Sequence, residues 1–182
     1  MKKLQLILVS LLFIFHSCYS QEKEVQKTKI DEFSSATGEI IKYTDYEAET
    51  LSISYGVVNT KIRKFSISDN TKFFFQISKK GKYSTKKASI AYEDLLEVNK
   101  AINVLKASII SDEASNPSYL ENKFVSDDGF QVGYYVSGGK ASWYISLEKY
   151  GSDNSIFIKD LDNLESVLND AIEKIKVLKK QP

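Results

Sequence analysis

Two periodicities follow each other between residues 130 and 178, and together they constrain the fold more than any other part of the sequence. Residues 130–136 and 141–147 alternate between apolar and other side chains, which is the period of a β-strand with one buried face. Gly138 and Gly139 lie between them, and glycine readily adopts the positive φ that a tight hairpin turn requires. The sequence therefore predicts an antiparallel hairpin.

A short strand over residues 155–159 and then a helical pattern follow this hairpin. From Leu161 to Leu178 the apolar residues fall on one stripe at helical spacing, and charged residues occupy the remaining positions. Asp160 or Asp162 can cap the first turn of this helix, and Asp162 with Glu165 three residues later resembles a capping box. Because an amphipathic helix must bury its apolar stripe, we expect this helix to pack on the hairpin.

The same order of elements occurs once before in the chain. Strand patterns over residues 38–90 are followed by a helical pattern from about Tyr92 to Ile109 and a polar linker. Thr50 to Val58 is predicted as one of these strands. In the strand over residues 71–78, Phe74 is predicted to lie on the face opposite its aromatic neighbours.

The sequence thus predicts an α+β fold in which antiparallel β-meanders are each followed by an amphipathic helix packed on the sheet. We assign residues 38–182 to a single domain with halves at 38–110 and 119–180. The doubling is either a two-fold pseudo-repeat or a coincidence between two ordinary strand-to-helix junctions. The element order resembles the layout of Pur-type single-strand nucleic-acid binders, without a shared motif, and element order alone implies no function.

Residues 1–20 are interpreted as an export signal, because Lys2 and Lys3 precede an apolar run that ends in small residues before Gln21. The run is shorter than the ~20 residues that span a bilayer. We expect cleavage before Gln21, and a location in the periplasm or outside the cell. The alternative is lipidation of Cys18, as in a bacterial lipoprotein. Residues 21–37 are predicted to form a loosely packed polar arm.

Removal of this signal would leave a chain without histidine or cysteine, since His16 and Cys18 are the single examples of each. Such a chain lacks disulfides, histidine-ligated metals, cysteine nucleophiles and Ser-His-Asp triads. We predict no cofactor and no metal site. The formal net charge of +1 indicates neither a polycation nor a disordered acidic tail.

A lysine-rich segment lies between residues 61 and 87, where nine basic residues face one acidic residue, Asp69. It either binds an anionic glycan, lipid headgroup or nucleic acid, or is a solvated sheet face whose lysines prevent edge-to-edge aggregation. Acidic residues between 93 and 128 offer a third interpretation, in which the two regions neutralise each other within one molecule or between two copies. The candidate anion-binding residues are Lys61, Arg63, Lys64, Lys72, Lys79, Lys80 and Lys82.

Two smaller features also allow binding. Tyr135 and Tyr144 are predicted on the face of the hairpin opposite the apolar set, where they would line a sugar- or peptide-binding surface. Asp127 and Asp128 precede Gly129, an arrangement typical of a turn, with calcium ligation as the less favoured interpretation.

The functional prediction is an exported, non-catalytic binding or interaction protein of unknown ligand, with an anionic polymer and another exported protein as the candidate partners. The first alternative is anion binding through the lysine-rich segment. The second alternative is a hydrolase without histidine, acting through a Ser-Lys dyad or a carboxylate pair. No glycine-rich phosphate loop or dinucleotide motif occurs in the sequence.

Overall fold

The computed structural model describes residues 27–81, 84–149 and 153–181. The predicted export signal with Cys18, and Lys82 of the lysine-rich segment, lie outside these residues. Within them the fold is α+β with antiparallel sheets, as predicted, and it contains three helices, the two predicted ones and a short one near residue 30. In this part of the chain, no helix combines the length and the apolar character needed to cross a membrane.

Twelve elements follow one another along the described residues, and the second half repeats the strands-then-helix order of the first. The pseudo-repeat itself stays a prediction. The elements are α1 (Lys29–Ser34), β1 (Ile41–Glu47), β2 (Leu51–Ile53), β3 (Gly56–Ile67), β4 (Asn70–Lys80), β5 (Thr85–Ala91), α2 (Tyr92–Ala114), β6 (Leu120–Val125), β7 (Gln131–Ser137), β8 (Lys140–Ser146), β9 (Ser155–Phe157) and α3 (Leu161–Lys179).

The strands form two sheets that meet at one edge. The first has the order β1-β3-β4-β5, with β2 paired to the start of β3, and the second has the order β6-β7-β8-β9. All pairings are antiparallel. Ile53 at the end of β2 bridges to Ile158 beyond β9, and the amide of Ser54 donates to the carbonyl of Phe157 at 3.0 Å. The sheets are therefore joined through β2 and β9.

One apolar core lies between these sheets and the two long helices. The buried stripe of α3 is the predicted one, with Leu164, Leu168 and Ile172 among its members. Its closest backbone neighbours are α2, β2 and β3, whereas α2 packs against strands of both sheets, including β6, β7 and β8. Helix α3 therefore packs mainly against α2 and the first sheet rather than on the hairpin as expected, because α2 covers the hairpin. The two halves therefore share one core, and each buries apolar side chains against the other.

The strand predictions hold where both the pattern and the turns are clear. Val132, Tyr134 and Val136 are fully buried on the inner face of β7, as predicted. The predicted strand from Thr50 to Val58 is wrong, because the chain turns between β2 and β3. Gly56 has φ +113°, which permits this turn and leaves Tyr55 94% exposed.

Strand β4 is buried on both faces. Phe73, Phe75 and Ile77 lie in the main core, whereas Phe74 packs with Phe65 and Ala91 in a second cluster on the outer face of the first sheet. This arrangement confirms the predicted separation of Phe74 from its neighbours. Because Phe74 and Phe65 are buried, another part of the chain must cover the outer face of the first sheet.

Helix α1 provides that cover. A capping box between Thr28 and Asp31 begins the helix, and Ile30 and Phe33 pack against the second cluster. The ring of Phe33 meets Phe65 edge-on, with centroids 6.3 Å apart. The expectation of a loosely packed arm is therefore wrong for these residues, because two apolar side chains one helical turn apart suffice to dock a polar segment.

Candidate functional site

A cleft of about 1000 Å³ lies on the outer face of the first sheet. Strands β3, β4 and β5 form its floor, with Phe65, Gln76 and Ser89 among the lining residues. Helix α1 forms one wall. The opposite wall comes from two turns of the second half, at residues 127–130 and 147–149. The cleft is thus built by three segments that are far apart in the sequence.

Gln76 is the most unusual residue of the floor. It lies in the middle of the aromatic strand β4, is 0% exposed, and its Nε2 donates a hydrogen bond of 2.9 Å to Oγ of Ser89. Its Oε1 is buried and has no hydrogen-bond partner among the described residues. The hydroxyl group of Ser89 can hydrogen-bond to only one end of the Gln76 amide. Whichever way the amide is oriented, its other polar atom stays unpaired. An unpaired buried group of this kind costs about 1–3 kcal/mol.

Asp128 brings a second unpaired oxygen to the wall of the cleft. Its Oδ1 accepts a hydrogen bond of 2.9 Å from the backbone amide of Lys29, whereas its Oδ2 is buried without a partner among the described residues. Burial raises the pKa of Asp128, and the nearby charge of Asp94 adds to this effect. The hydrogen bond from Lys29 opposes the rise without cancelling it.

Lys29 connects α1 to the turn that carries Asp127 and Asp128. Its ammonium group lies 2.5 Å from Oδ1 of Asp94 and 3.1 Å from Oδ2 of Asp127. Burial acts against the charged amine, but the hydrogen bonds with the two carboxylates outweigh burial and raise the pKa of Lys29. The positive charge next to Asp94 and Asp127 is therefore supplied by Lys29. Among the described residues, no group of three or more acidic side chains has a geometry that could hold a metal ion.

The turn at residues 126–129 has the hairpin geometry that the sequence predicted. The amide of Gly129 donates to the carbonyl of Ser126 at 2.9 Å, and Gly129 has φ +86°. Turn formation and the attachment of α1 account for Asp127 and for Oδ1 of Asp128, which both contact Lys29, but they do not account for Oδ2 of Asp128.

The predicted lysine-rich face is divided between the two sides of the first sheet. Lys64 pairs with Phe73 in the register and so lies on the core side, as does Lys79, whose Nζ donates to the carbonyl of Ser155 at 3.0 Å. Strand alternation places Lys61, Arg63, Lys72 and Lys80 on the outer side. The structure thus brings together four of the candidates, because a continuous run of lysines on a strand points to both faces.

Two of the four outer cations are already paired. Arg63 donates to Asp45 through Nε and Nη2 at 2.6 and 2.7 Å, and Lys61 reaches the same carboxylate at 2.7 Å. The hydrogen bond from Arg63 holds the pKa of Asp45 well below its usual range. Lys72 lies over the ring of Phe33, 5.4 Å from its centroid. The cationic surface is therefore much weaker than the sequence count indicates.

The two tyrosines of the predicted aromatic surface differ in exposure. Tyr135 is half-buried on the outer face of the second sheet, between Tyr119 and Phe157. Tyr144 is only 8% exposed, and its hydroxyl donates to Oε1 of Glu121 at 2.5 Å. Tyr144 is therefore not the open surface residue that was expected, because it lies beside Gly133, which has no side chain to keep the ring away from the sheet.

Sequence reasoning missed Gln76 and identified Asp128 only as part of a turn. One signal for Gln76 was present, since an amide in the middle of the most aromatic strand must be buried wherever both faces of that strand are covered. Because helix α1 was not predicted to cover the outer face, the burial of Gln76 could not be inferred from the sequence.

Comparison of the chain with models of protein families, with curated proteins and with solved structures finds no match.

Proposed function

We propose that this chain is an exported, non-catalytic binding protein that holds a small polar ligand in the cleft between α1, the first sheet and the turns of the second half. The observation that carries this proposal is the pair of buried oxygens, Oε1 of Gln76 and Oδ2 of Asp128, which both lack a partner among the described residues and both belong to residues lining the cleft.

Buried polar atoms without partners are rare in folded proteins, since each reduces stability by about 1–3 kcal/mol. Four such atoms occur among the described residues, and the two that belong to residues lining the cleft favour a ligand that supplies the missing hydrogen bonds. The volume of about 1000 Å³ lies at the upper end of the range of small-molecule sites. The mixture of apolar and polar lining residues is also typical of such sites.

Export is supported by the sequence of residues 1–20, with its basic start and apolar run. Sequencing of the N-terminus of the protein recovered from the expressing bacterium tests this part of the proposal. A start at Gln21 agrees with cleavage of a signal. A start at Met1 contradicts export by this route, and a blocked N-terminus at Cys18 that incorporates labelled palmitate supports the lipoprotein alternative.

Binding is tested by thermal shift with three classes of probe. The neutral probes are maltose, cellobiose and N,N′-diacetylchitobiose, the cationic probes are spermidine and arginine, and the anionic probes are citrate and glucose 6-phosphate. We expect at least one class to raise Tm, because a ligand that binds only the folded state stabilises it. The variant Gln76→Met is expected to lose this response while its own Tm without probe is unchanged or higher.

Gln131→Met is the matched control, since Gln131 is a half-buried glutamine on β7 that does not line the cleft. Its response to the probes is expected to equal that of the wild type. The proposal is contradicted if no class of probe raises Tm, or if the rise survives in Gln76→Met. It is also contradicted if Gln76→Met lowers stability strongly and leaves every probe response intact, since Gln76 would then have a structural role only.

A further inference from the structure

The unpaired atoms of the cleft restrict the chemistry of what binds there. Oδ2 of Asp128 is an acceptor. The free end of the Gln76 amide is an acceptor when Nε2 donates to Ser89, and it is a donor when the amide is reversed. A hydroxyl group both donates and accepts, so it satisfies Gln76 in either orientation and also donates to Asp128. A ligand with several hydroxyl groups therefore fits both positions.

The charges of the lining disfavour a strongly charged ligand. Four acidic and four basic side chains line the cleft. Several of them already have partners within the protein, as Arg63 binds Asp45 while Asp127 and Glu148 each bind a lysine. A cationic ligand at Asp128 would also lie near Lys29, whose amide holds the same carboxylate. The balance of charge favours an uncharged ligand.

The lining of the cleft contains apolar as well as polar side chains. Ile30 comes from α1, and Phe130 and Leu147 come from the opposite wall. A sugar ring presents hydroxyl groups at its edges and C–H groups on its faces, and a lining with both kinds of side chain suits such a ligand. The volume of about 1000 Å³ favours more than one ring.

We infer that the cleft binds a neutral oligosaccharide of at least two rings, with hydroxyl groups at Oδ2 of Asp128 and at the amide of Gln76. This inference rests on the proposed function and narrows it to one class of ligand. The sugar is held by hydrogen bonds and apolar contacts, without an ion pair between sugar and protein.

Isothermal titration calorimetry of the purified protein with maltose, cellobiose and N,N′-diacetylchitobiose tests the inference. At least one of these sugars is expected to bind with an affinity that changes less than twofold between 50 and 500 mM salt, because no ligand charge is screened. Spermidine and citrate serve as the charged comparisons and are expected to bind at least tenfold more weakly.

Asp128→Asn is the most informative variant. Oδ1 still accepts the hydrogen bond from Lys29, so α1 stays attached, but the unpaired acceptor becomes an NH₂ donor. We expect sugar affinity to fall at least tenfold in Asp128→Asn and in Gln76→Met, and to stay unchanged in Gln131→Met. Folding of each variant is followed by circular dichroism, so loss of structure is distinguished from loss of binding.

Four outcomes are possible, and each bears on this inference, on the proposed function or on both. Sugar binding that depends on Gln76 and Asp128 supports both. Binding of spermidine or citrate that depends on Gln76, without sugar binding, keeps the cleft as a binding site and overturns the assignment of a sugar. Absence of binding by every probe contradicts both. Sugar binding that is unaffected by either substitution places the sugar elsewhere and also overturns the inference.

Discussion

The backbone amide of Lys29 donates a hydrogen bond to Oδ1 of Asp128, which is 99 positions further along the chain, at 2.9 Å. The side chain of the same lysine binds Asp94 at the start of α2 and Asp127 in the turn before β7. One residue of α1 is therefore bound to both halves of the domain. The wall of the cleft depends on these contacts, because they attach α1 to the turn at residues 127–128.

Replacement of Lys29 by methionine is expected to lower the free energy of unfolding by about 2 kcal/mol. The substitution leaves the carboxylate of Asp94, which is 4% exposed, without its cation, and an uncompensated buried charge is strongly unfavourable. The figure is below the full range for buried pairs because Lys29 itself is partly exposed and screened. Urea denaturation at pH 7 measures the change.

Lys42→Met is the control for this substitution, since Lys42 is exposed on β1 and has no ion pair among the described residues. Its effect is expected to be within about 0.5 kcal/mol of zero. Equal losses in the two variants would contradict a special role for Lys29.

The pair of Arg63 and Asp45 is expected to contribute to stability at neutral pH and not in acid. The hydrogen bond from Arg63 lowers the pKa of Asp45 below its usual 3.8, so the folded state favours the carboxylate. This contribution is fully present above pH 3.8 and is lost as the pH falls through the lowered pKa. Asp45→Asn should therefore reduce stability by about 1 kcal/mol at pH 7, a value discounted for exposure.

Urea denaturation of wild type and Asp45→Asn between pH 7 and pH 2 measures this dependence. The two unfolding free energies are expected to converge as the pH falls below 3.8. A difference that stays constant over the whole range would mean that the carboxylate charge is not the source of the effect.

Asp128 is expected to show the opposite dependence. Its pKa is raised by burial, so the folded state favours the protonated form, and ionisation lowers stability as the pH rises from the usual value through the raised one. Asp128→Asn removes this loss while keeping the acceptor for Lys29. We expect a gain of roughly 0.5 kcal/mol at pH 7, after allowance for solvent screening, and no gain at pH 3.

Thermal denaturation of Asp128→Asn at the two pH values measures this gain. A loss of stability at pH 7 would show that the charge of Asp128 is needed near Lys29. Together with weaker sugar binding, higher stability of Asp128→Asn would be the pattern of a residue retained for function at the expense of stability.

Gly133 is expected to tolerate no larger residue within β7. A Cβ atom at this position would lie 2.4 Å from the carbonyl oxygen of Asn122 and 2.6 Å from Cβ of Lys123. Gly133→Ala would therefore push β6 away from β7 and lower stability by about 2–3 kcal/mol. Gly138→Ala is the comparison, because that glycine has φ +59° with nothing within 4 Å and its strain costs about 1 kcal/mol. Urea denaturation of both variants measures the two losses of stability. A smaller loss in Gly133→Ala than in Gly138→Ala would contradict the close approach of β6 to β7.

The sequence allows the fold class to be predicted where a local period determines burial. The alternation of Val132, Tyr134 and Val136 and the stripe of Leu164 and Leu168 each concern one buried face, and each is confirmed. The strand across Tyr55 was wrong because hydrophobic alternation continued through a turn that Gly56 permits. Alternation shows which side chains share a face only while the strand is unbroken.

The candidate site was not predictable in the same way, because its residues belong to different elements. Gln76 and Asp128 come together only through the packing of α1 and of the second half on the outer face of the first sheet. The lysines between 61 and 87 were conspicuous in the sequence, yet Lys64 and Lys79 lie on the core side of the sheet. Charge counts along a chain do not distinguish the two faces of a strand.

The bridge between Ile53 and Ile158 has a consequence for how the chain denatures. Through β2 and β9 the strand ladder of the first half continues into that of the second, and both wrap the same pair of helices. Neither half encloses enough apolar surface by itself, so separate expression of residues 38–110 or 119–180 is expected to yield unstructured or aggregated fragments. The whole chain should accordingly melt in a single cooperative transition, with fluorescence of Trp143 and far-ultraviolet circular dichroism following the same curve.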